Sequence, residues 1–298
     1  GDEVRVYTLP EGNRLFSRRG HLLRRCDDGA IRAWQAMGTT FQIFDVWTGG
    51  VVAQIPREPA LVIGSDSACK VLYTQRLDGA IVETRLESGA ARVLARTDGY
   101  VYDVRPSLGG AGTAGRAAFG PGLWIAVSSG AIARIDELSS VVHVAGYATP
   151  RAAALADGAR PGDVAYADAG GIVLLRAQPP EPVTGRLTWR SERMLEATGE
   201  SPWEDLSMAP DGASMLLASA DRLASLDLSR HEIVGWMNVE GKTRLSRWDD
   251  DGSVLAWSFD RVGGAEGQVI PRGVSLAKLV ATSISNLGAE KGKLLIHR

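Results

Sequence analysis

The sequence predicts an all-β chain built from a repeated four-stranded antiparallel unit, and three observations carry that expectation. Between residues 203 and 239, four short apolar or alternating runs (Trp203–Met208, Ser214–Ser219, Leu223–Leu228, Glu232–Val239) are separated by Pro210-Asp211-Gly212, Ala220-Asp221-Arg222 and Ser229-Arg230-His231, which are turn-forming groups. A strand like the third of these returns near Val4–Leu9, Phe41–Trp47, Ala80–Leu86, Ala131–Leu138 and Ile172–Ala177, with successive starts roughly 37 to 51 residues apart. The 35 glycines and 13 prolines are spread along the chain, as short strands joined by tight turns require.

Taken in order, Val4–Leu9 and Asn13–Arg18 around Glu11-Gly12 make only the second half of such a unit. A whole unit follows in His21–Cys26, Ala30–Gln35, Phe41–Trp47 and Val51–Ile55, with Asp28-Gly29 and Thr48-Gly49 supplying the positive φ of hairpin turns. The next is Ala60–Gly64, Lys70–Gln75, Ala80–Leu86 and Ala91–Ala95, turning at Asp78-Gly79. A fourth opens with Tyr100–Arg105, carries the loop Pro106–Gly122, and continues in Leu123–Ser128, Ala131–Asp136 and Val141–Ala145. The fifth is built from Ala152–Leu155, Val164–Ala167 and Ile172–Arg176, then a Pro-rich excursion at Gln178–Val183 and a strand near Thr188–Leu195. After the sixth, Thr243–Trp248 and Ser253–Phe259 begin a seventh, whose outer strands fall around Gln268–Leu276.

The tail, Val280–Asn286 and Lys293–His297, is the first half of a unit whose second half stands at the N-terminus. Pairing the two ends would close a ring and remove its exposed edges. The expected fold is therefore a single β-propeller domain over residues 1–298, with about seven four-stranded blades and a two-plus-two closure. A helix over Ser275–Asn286, on the near-3.6 spacing of Leu276, Leu279, Val280, Ile284 and Leu287, is the alternative, and it gives six blades.

Two pieces, Asp27–Trp34 and Ala209–Leu228, resemble bacterial WD40-type and related propellers in their turn residues and periodicity. In that family a Trp-Asp pair ends the third strand; here Phe44-Asp45 and Leu226-Asp227 echo it, whereas Trp248-Asp249 ends a first strand and Gly-His occurs once, at Gly20-His21. The resemblance implies shape and a scaffold role in protein–protein interaction.

Composition narrows the classes. The chain is 45% hydrophobic and 23% charged, enough for a large core. A net charge of -2 gives no general attraction to nucleic acid, and no apolar run approaches the length of a membrane span. Five lysines against 28 arginines reflect the bias of a GC-rich genome. Cys26 and Cys69 stand outside any C-x-x-C pair and are expected to be two unpaired structural thiols, which leans toward the cytoplasm.

The search for chemistry names no catalytic, cofactor-binding or metal-ligating residue. His21, His143, His231 and His297 have no metal-ligand spacing, and Gly235 stands where a zincin motif starting at His231-Glu232 needs its second His. Gly110, Gly112 and Gly115 match a dinucleotide fingerprint by letter but lack the strand and helix around it. Asp27-Asp28 and Asp249-Asp250-Asp251 read as turn formers.

The expected role is binding a protein partner. Candidate contact residues are Arg18 and Arg19, near Arg24-Arg25, together with Arg222, Arg261 and Trp203, the last at a junction where exposed aromatics anchor partners. The alternative is an extracytoplasmic enzyme or small-ligand receptor in which Asp66, Asp103, Glu204 and Asp250 converge on a central channel.

Overall fold

The computed structural model describes residues 3–8, 14–26, 28, 30–46, 48–66, 68–107, 122–136, 140–146, 154–157, 160, 162–181, 183–197, 203, 205–209, 212–219, 222–238, 242–248, 254–259 and 293–297. Over these residues the chain is all-β and forms seven antiparallel sheets. Sheet I holds β1 (Glu3–Thr8) and β2 (Arg14–Arg19). Sheet II is β3 (His21–Arg25), β4 (Ile31–Met37), β5 (Thr40–Asp45) and β6 (Val51–Pro56). Sheet III is β7 (Ala60–Ser65), β8 (Val71–Arg76), β9 (Ala80–Arg85) and β10 (Ala91–Arg96). Sheet IV is β11 (Val101–Ser107), β12 (Gly122–Val127), β13 (Ala131–Asp136) and β14 (Val141–Gly146). Sheet V is β15 (Ala154–Asp157), β16 (Val164–Asp168), β17 (Gly171–Ala177) and β18 (Trp189–Glu196). Sheet VI is β19 (Asp205–Met208), β20 (Ser214–Ala218), β21 (Arg222–Asp227) and β22 (Glu232–Asn238). Sheet VII is β23 (Lys242–Trp248) with β24 (Val254–Phe259), and β25 (Lys293–His297) completes sheet I.

Sheets II to VI are four-stranded meanders, each strand hydrogen-bonded to the next in sequence. Within sheet I the order is β2-β1-β25, with Val4 opposite His297 and Thr8 opposite Lys293, so the two ends of the chain share one sheet as expected. The stretch 280–286, its alternative helix and the outer strands expected near 268–276 lie outside the described residues.

The third strands β5, β9, β13, β17 and β21 start at Thr40, Ala80, Ala131, Gly171 and Arg222, separations of 40, 51, 40 and 51 residues, which is a two-sheet period of 91. Three of them end in a buried apolar residue followed by Asp, namely Phe44-Asp45, Ile135-Asp136 and Leu226-Asp227, at that same spacing. Ile135-Asp136 is thus a third echo of the pair seen in the sequence.

Two compact units divide the chain. Sheets I, II and III belong to the first, and sheets IV to VII to the second. In the first, Phe41, Ile43 and Ile55 of sheet II pack on Leu72 and Leu86 of sheet III. In the second, sheet V is buried on both faces. Val164, Tyr166, Val173 and Leu175 meet Trp124 and Ile132 of sheet IV, while Ala165, Ala167, Ile172 and Leu174 meet Met215, Leu217 and Leu226 of sheet VI. A strand sandwiched between sheets has no polar side, which is why β16 and β17 read as nearly continuous apolar runs. Fourth strands face another sheet on fewer positions, and β6, β10 and β14 are mostly exposed or half-buried.

Two turns need glycine. Gly79 sits at φ +79 in the Asp78-Gly79 hairpin, and a Cβ there would lie 2.2 Å from the Thr97 carbonyl oxygen. Gly171, at φ +122, approaches the Leu195 carbonyl so closely that a Cβ would stand 2.0 Å from it.

The cysteine expectation is corrected. Cys26 and Cys69 form a disulfide with Cα atoms 5.5 Å apart, and both residues are buried. Cys26 follows β3 and Cys69 precedes β8, so the bond joins the first turn of sheet II to the first turn of sheet III. Forty-three residues of sequence separation hide this proximity. It arises because consecutive sheets stack and bring equivalent turns together.

Candidate functional site

Acidic side chains at the turns are engaged by the backbone. Asp45 Oδ1 accepts hydrogen bonds from the Thr48 amide (2.8 Å) and hydroxyl (3.0 Å), and Asp45 also pairs with Arg32. Asp136 Oδ1 accepts from the Ser140 amide, and Asp227 Oδ1 from the Ser229 hydroxyl and amide and the Arg230 amide. Each closes the turn after a third strand, which gives the repeated apolar-Asp pair a mechanical reason: the carboxylate satisfies amides that the ladder leaves over. Asp66, named for the channel alternative, does the same after β7, accepting from the Lys70 and Val71 amides at 2.7 Å each.

These bonds hold the Asp227 carboxyl below the usual carboxylate range, the Ser229 hydroxyl contributing most. A group with a lowered folded pKa stabilises the fold above its unfolded value, and that contribution is lost as pH falls through the folded value. Asp227→Ala should therefore lower the melting temperature at pH 7 and cost progressively less in acid, as pH falls through the lowered folded value and the wild-type carboxyl takes up its proton. Melting curves of both proteins recorded at a series of pH values from 7 downward make the comparison, and a deficit that stays constant throughout would show that the carboxylate charge is not the cause.

In the second unit, first strands carry a polar cluster. Arg105 of β11 donates from Nε to the Leu155 carbonyl of β15 (2.8 Å), and its terminal nitrogen lies 3.4 Å from both Asp103 Oδ2 and Asp205 Oδ1 of β19. Asp103 Oδ2 also accepts from the Leu155 amide at 2.9 Å. One guanidinium and two carboxylates thus tie the first strands of sheets IV, V and VI side by side. The arrangement is an ion-paired clasp of one cation between two carboxylates, which leaves one negative charge in excess. Of the acids expected to converge, Asp103 is here and Asp66 is in a turn of the first unit; Glu204 and Asp250 lie outside the described residues. Among the described residues no three His, Cys, Asp or Glu side chains gather as metal ligands would. No helix among them is long and apolar enough to cross a membrane.

The expected partner-binding residues fall in both units. Arg18 is half-buried: it donates to Gln42 Oε1 (2.7 Å) and the Gly49 carbonyl (3.1 Å), and its guanidinium lies 4.6 Å from the Phe44 ring centroid. That arginine joins β2 to sheet II. Arg19 is exposed at the end of β2, opposite Glu3. Trp203 is half-buried against the core between sheets V and VI. Arg222 begins β21, opposite Asn238; Arg261 lies outside the described residues. His21 stacks on Trp34 with centroids 4.5 Å apart, a packing role. His231, at φ 56, lies 3.6 Å from Glu192.

The first unit also exposes a set of large apolar side chains. At the end of sheets II and III where second strands turn into third strands, Met37, Leu61, Leu77 and Tyr100 are 51%, 55%, 82% and 64% exposed. A legible signal exists only for Leu77, a large apolar residue at the corner of the Leu77-Asp78-Gly79 turn, where a polar residue is usual.

No protein-family model matches the sequence, and no curated protein matches it.

Proposed function

We propose that the seven sheets are successive blades of one β-propeller that binds a protein partner without catalysis, in an oxidising compartment. The observation that carries the architecture is the joining of β25 to β1: in the order β25-β1-β2 the two chain ends supply the second, third and fourth strands of one blade. The run of first strands supports it, since in the second unit β11, β15, β19 and β23 each lie against the next, as they do around a propeller axis. The binding role is supported by the engagement of Asp45, Asp66, Asp136 and Asp227 in turns and of Asp103 and Asp205 in the Arg105 clasp. These groups act as structure. The compartment follows from the Cys26–Cys69 bond, because such bonds persist where thiols are not kept reduced.

A second reading, an extracytoplasmic receptor or enzyme using the central channel, draws on the same disulfide and on the carboxylates of first strands β11 and β19.

Two measurements test the proposal. Electron-microscopy averages viewed down the axis should count seven blades; six, or an open arc, would overturn the architecture. A thermal-shift screen against divalent cations and simple sugars should leave the melting temperature unchanged. A ligand at about 100 times its Kd would stabilise the native state by about 2.7 kcal/mol, so a clear rise would replace the binding role with the receptor reading.

A further inference from the structure

Met37, Leu61, Leu77 and Tyr100 are far apart in sequence, yet the register gathers them at one end of two adjacent sheets. Met37 pairs with Thr40 at the β4–β5 turn, and Thr40 pairs with Pro56 at the end of β6. Leu61 pairs with Gln75, two residues before Leu77. The Gln75 side chain donates to the Gly99 carbonyl (2.8 Å), directly before Tyr100, and the Thr97 amide donates to the Gly79 carbonyl (3.0 Å). All four residues therefore belong to one loop face of the first unit.

The charges on that face alternate and cancel. Arg76 pairs with Glu58, and Arg96 pairs with Asp78. The remaining pair, Arg57 and Asp98, is exposed and of opposite sign. Corresponding turns in the second unit lack the apolar tips: β12 turns into β13 through Ser128-Ser129-Gly130, and β16 into β17 through Ala169-Gly170. The apolar tips of the first unit do not recur at these two turns.

We infer that this face is a self-association surface, on which Leu77, Tyr100, Leu61 and Met37 of one chain meet the same residues of a second copy. An isologous contact sets a patch against itself, so any net charge on the patch opposes it. Here three arginines and three acids of the rim leave no net charge, so a second copy of the same face meets no net repulsion. A nucleic acid or a strongly charged protein would be opposed by half of the rim. Apolar centres ringed by Arg and acid pairs that exclude water are the usual anatomy of a binding hot spot.

The inference stands apart from the blade count and from any other partner. Sedimentation velocity on the whole chain, at concentrations up to about 100 µM where even a weak contact is populated, should show a species of twice the 31.7 kDa chain mass. Leu77→Asp and Tyr100→Asp should each return it to monomer, with the circular dichroism spectrum and the Cys26–Cys69 bond unchanged. Val52→Asp, on the outer strand β6, should leave the dimer intact. A wild-type monomer throughout that range, or a dimer that survives Leu77→Asp with its fold intact, or one that Val52→Asp abolishes instead, overturns the inference. A monomer leaves the proposed binding of a different protein standing.

Discussion

Replacing both Cys26 and Cys69 with alanine should destabilise the first unit by about 4 kcal/mol, the chain-entropy value for a cross-link closing a loop of this length. The residues are 43 apart, and the bond joins first turns of two adjacent sheets, so its removal frees sheets II and III to separate in the unfolded ensemble without costing any strand its ladder. Both side chains are buried, at 1% and 7% exposure, so the double alanine variant also loses some packing. Cys69 adds a local term, because it holds φ 54 in a turn closed by its own amide on the Asp66 carbonyl. For a protein of this size the loss corresponds to a melting temperature lower by on the order of 10 °C. Urea titrations of oxidised wild type and the double variant measure it. Thiol titration of the denatured, unreduced protein provides the sharper check, since two reactive thiols per chain would contradict the bond outright.

Shortening the chain by residues 293–298 should unfold more than a tail. β25 is hydrogen-bonded along five residues of β1, from Val4–His297 to Thr8–Lys293, and without it β1 becomes the unpaired edge of a two-stranded sheet. Each ladder hydrogen bond is worth about 1 kcal/mol net, so the deletion costs on the order of 4 kcal/mol before any loss in packing. A two-stranded sheet has little stability alone, so β1 and β2 should lose their protection with it. Arg18 links β2 to Gln42 and Gly49 of sheet II, which carries the disturbance onward. Hydrogen exchange should show lost protection over residues 3–8 and 14–19 and a lower melting temperature. Leu295→Pro, which removes one donor opposite Val6 and keeps the length, should reproduce part of the effect. An unchanged melting transition after the deletion would sink the idea that the ends close the fold.

Much of the secondary structure was legible because it is encoded locally. The four strands expected between residues 203 and 239 appear as β19 to β22 with ends shifted by at most two residues, and Asp78-Gly79 is the hairpin its residues demand. Sheet V was the least legible unit in the sequence, because its Ala-rich strands alternate poorly; its apolar runs make sense once both faces are seen to be covered. Candidate-site residues were less legible. Arg18 looks like a surface cation in sequence, yet its partners Gln42 and Gly49 are 24 and 31 residues away. The Arg105 clasp spans 100 residues to Asp205, and nothing local marks either residue as belonging with the other.

The sequence by itself determined the strands, the turns and the pairing of the chain's two ends, because these depend on near-neighbour periodicity, on turn residues and on counting half-units at each terminus. Only the tertiary structure decided that Cys26 meets Cys69, that Arg18 is a joint between sheets, and that Met37, Leu61, Leu77 and Tyr100 share one loop face. Those outcomes depend on which turns of stacked sheets come to lie beside one another, a distance in space that spacing along the chain does not measure.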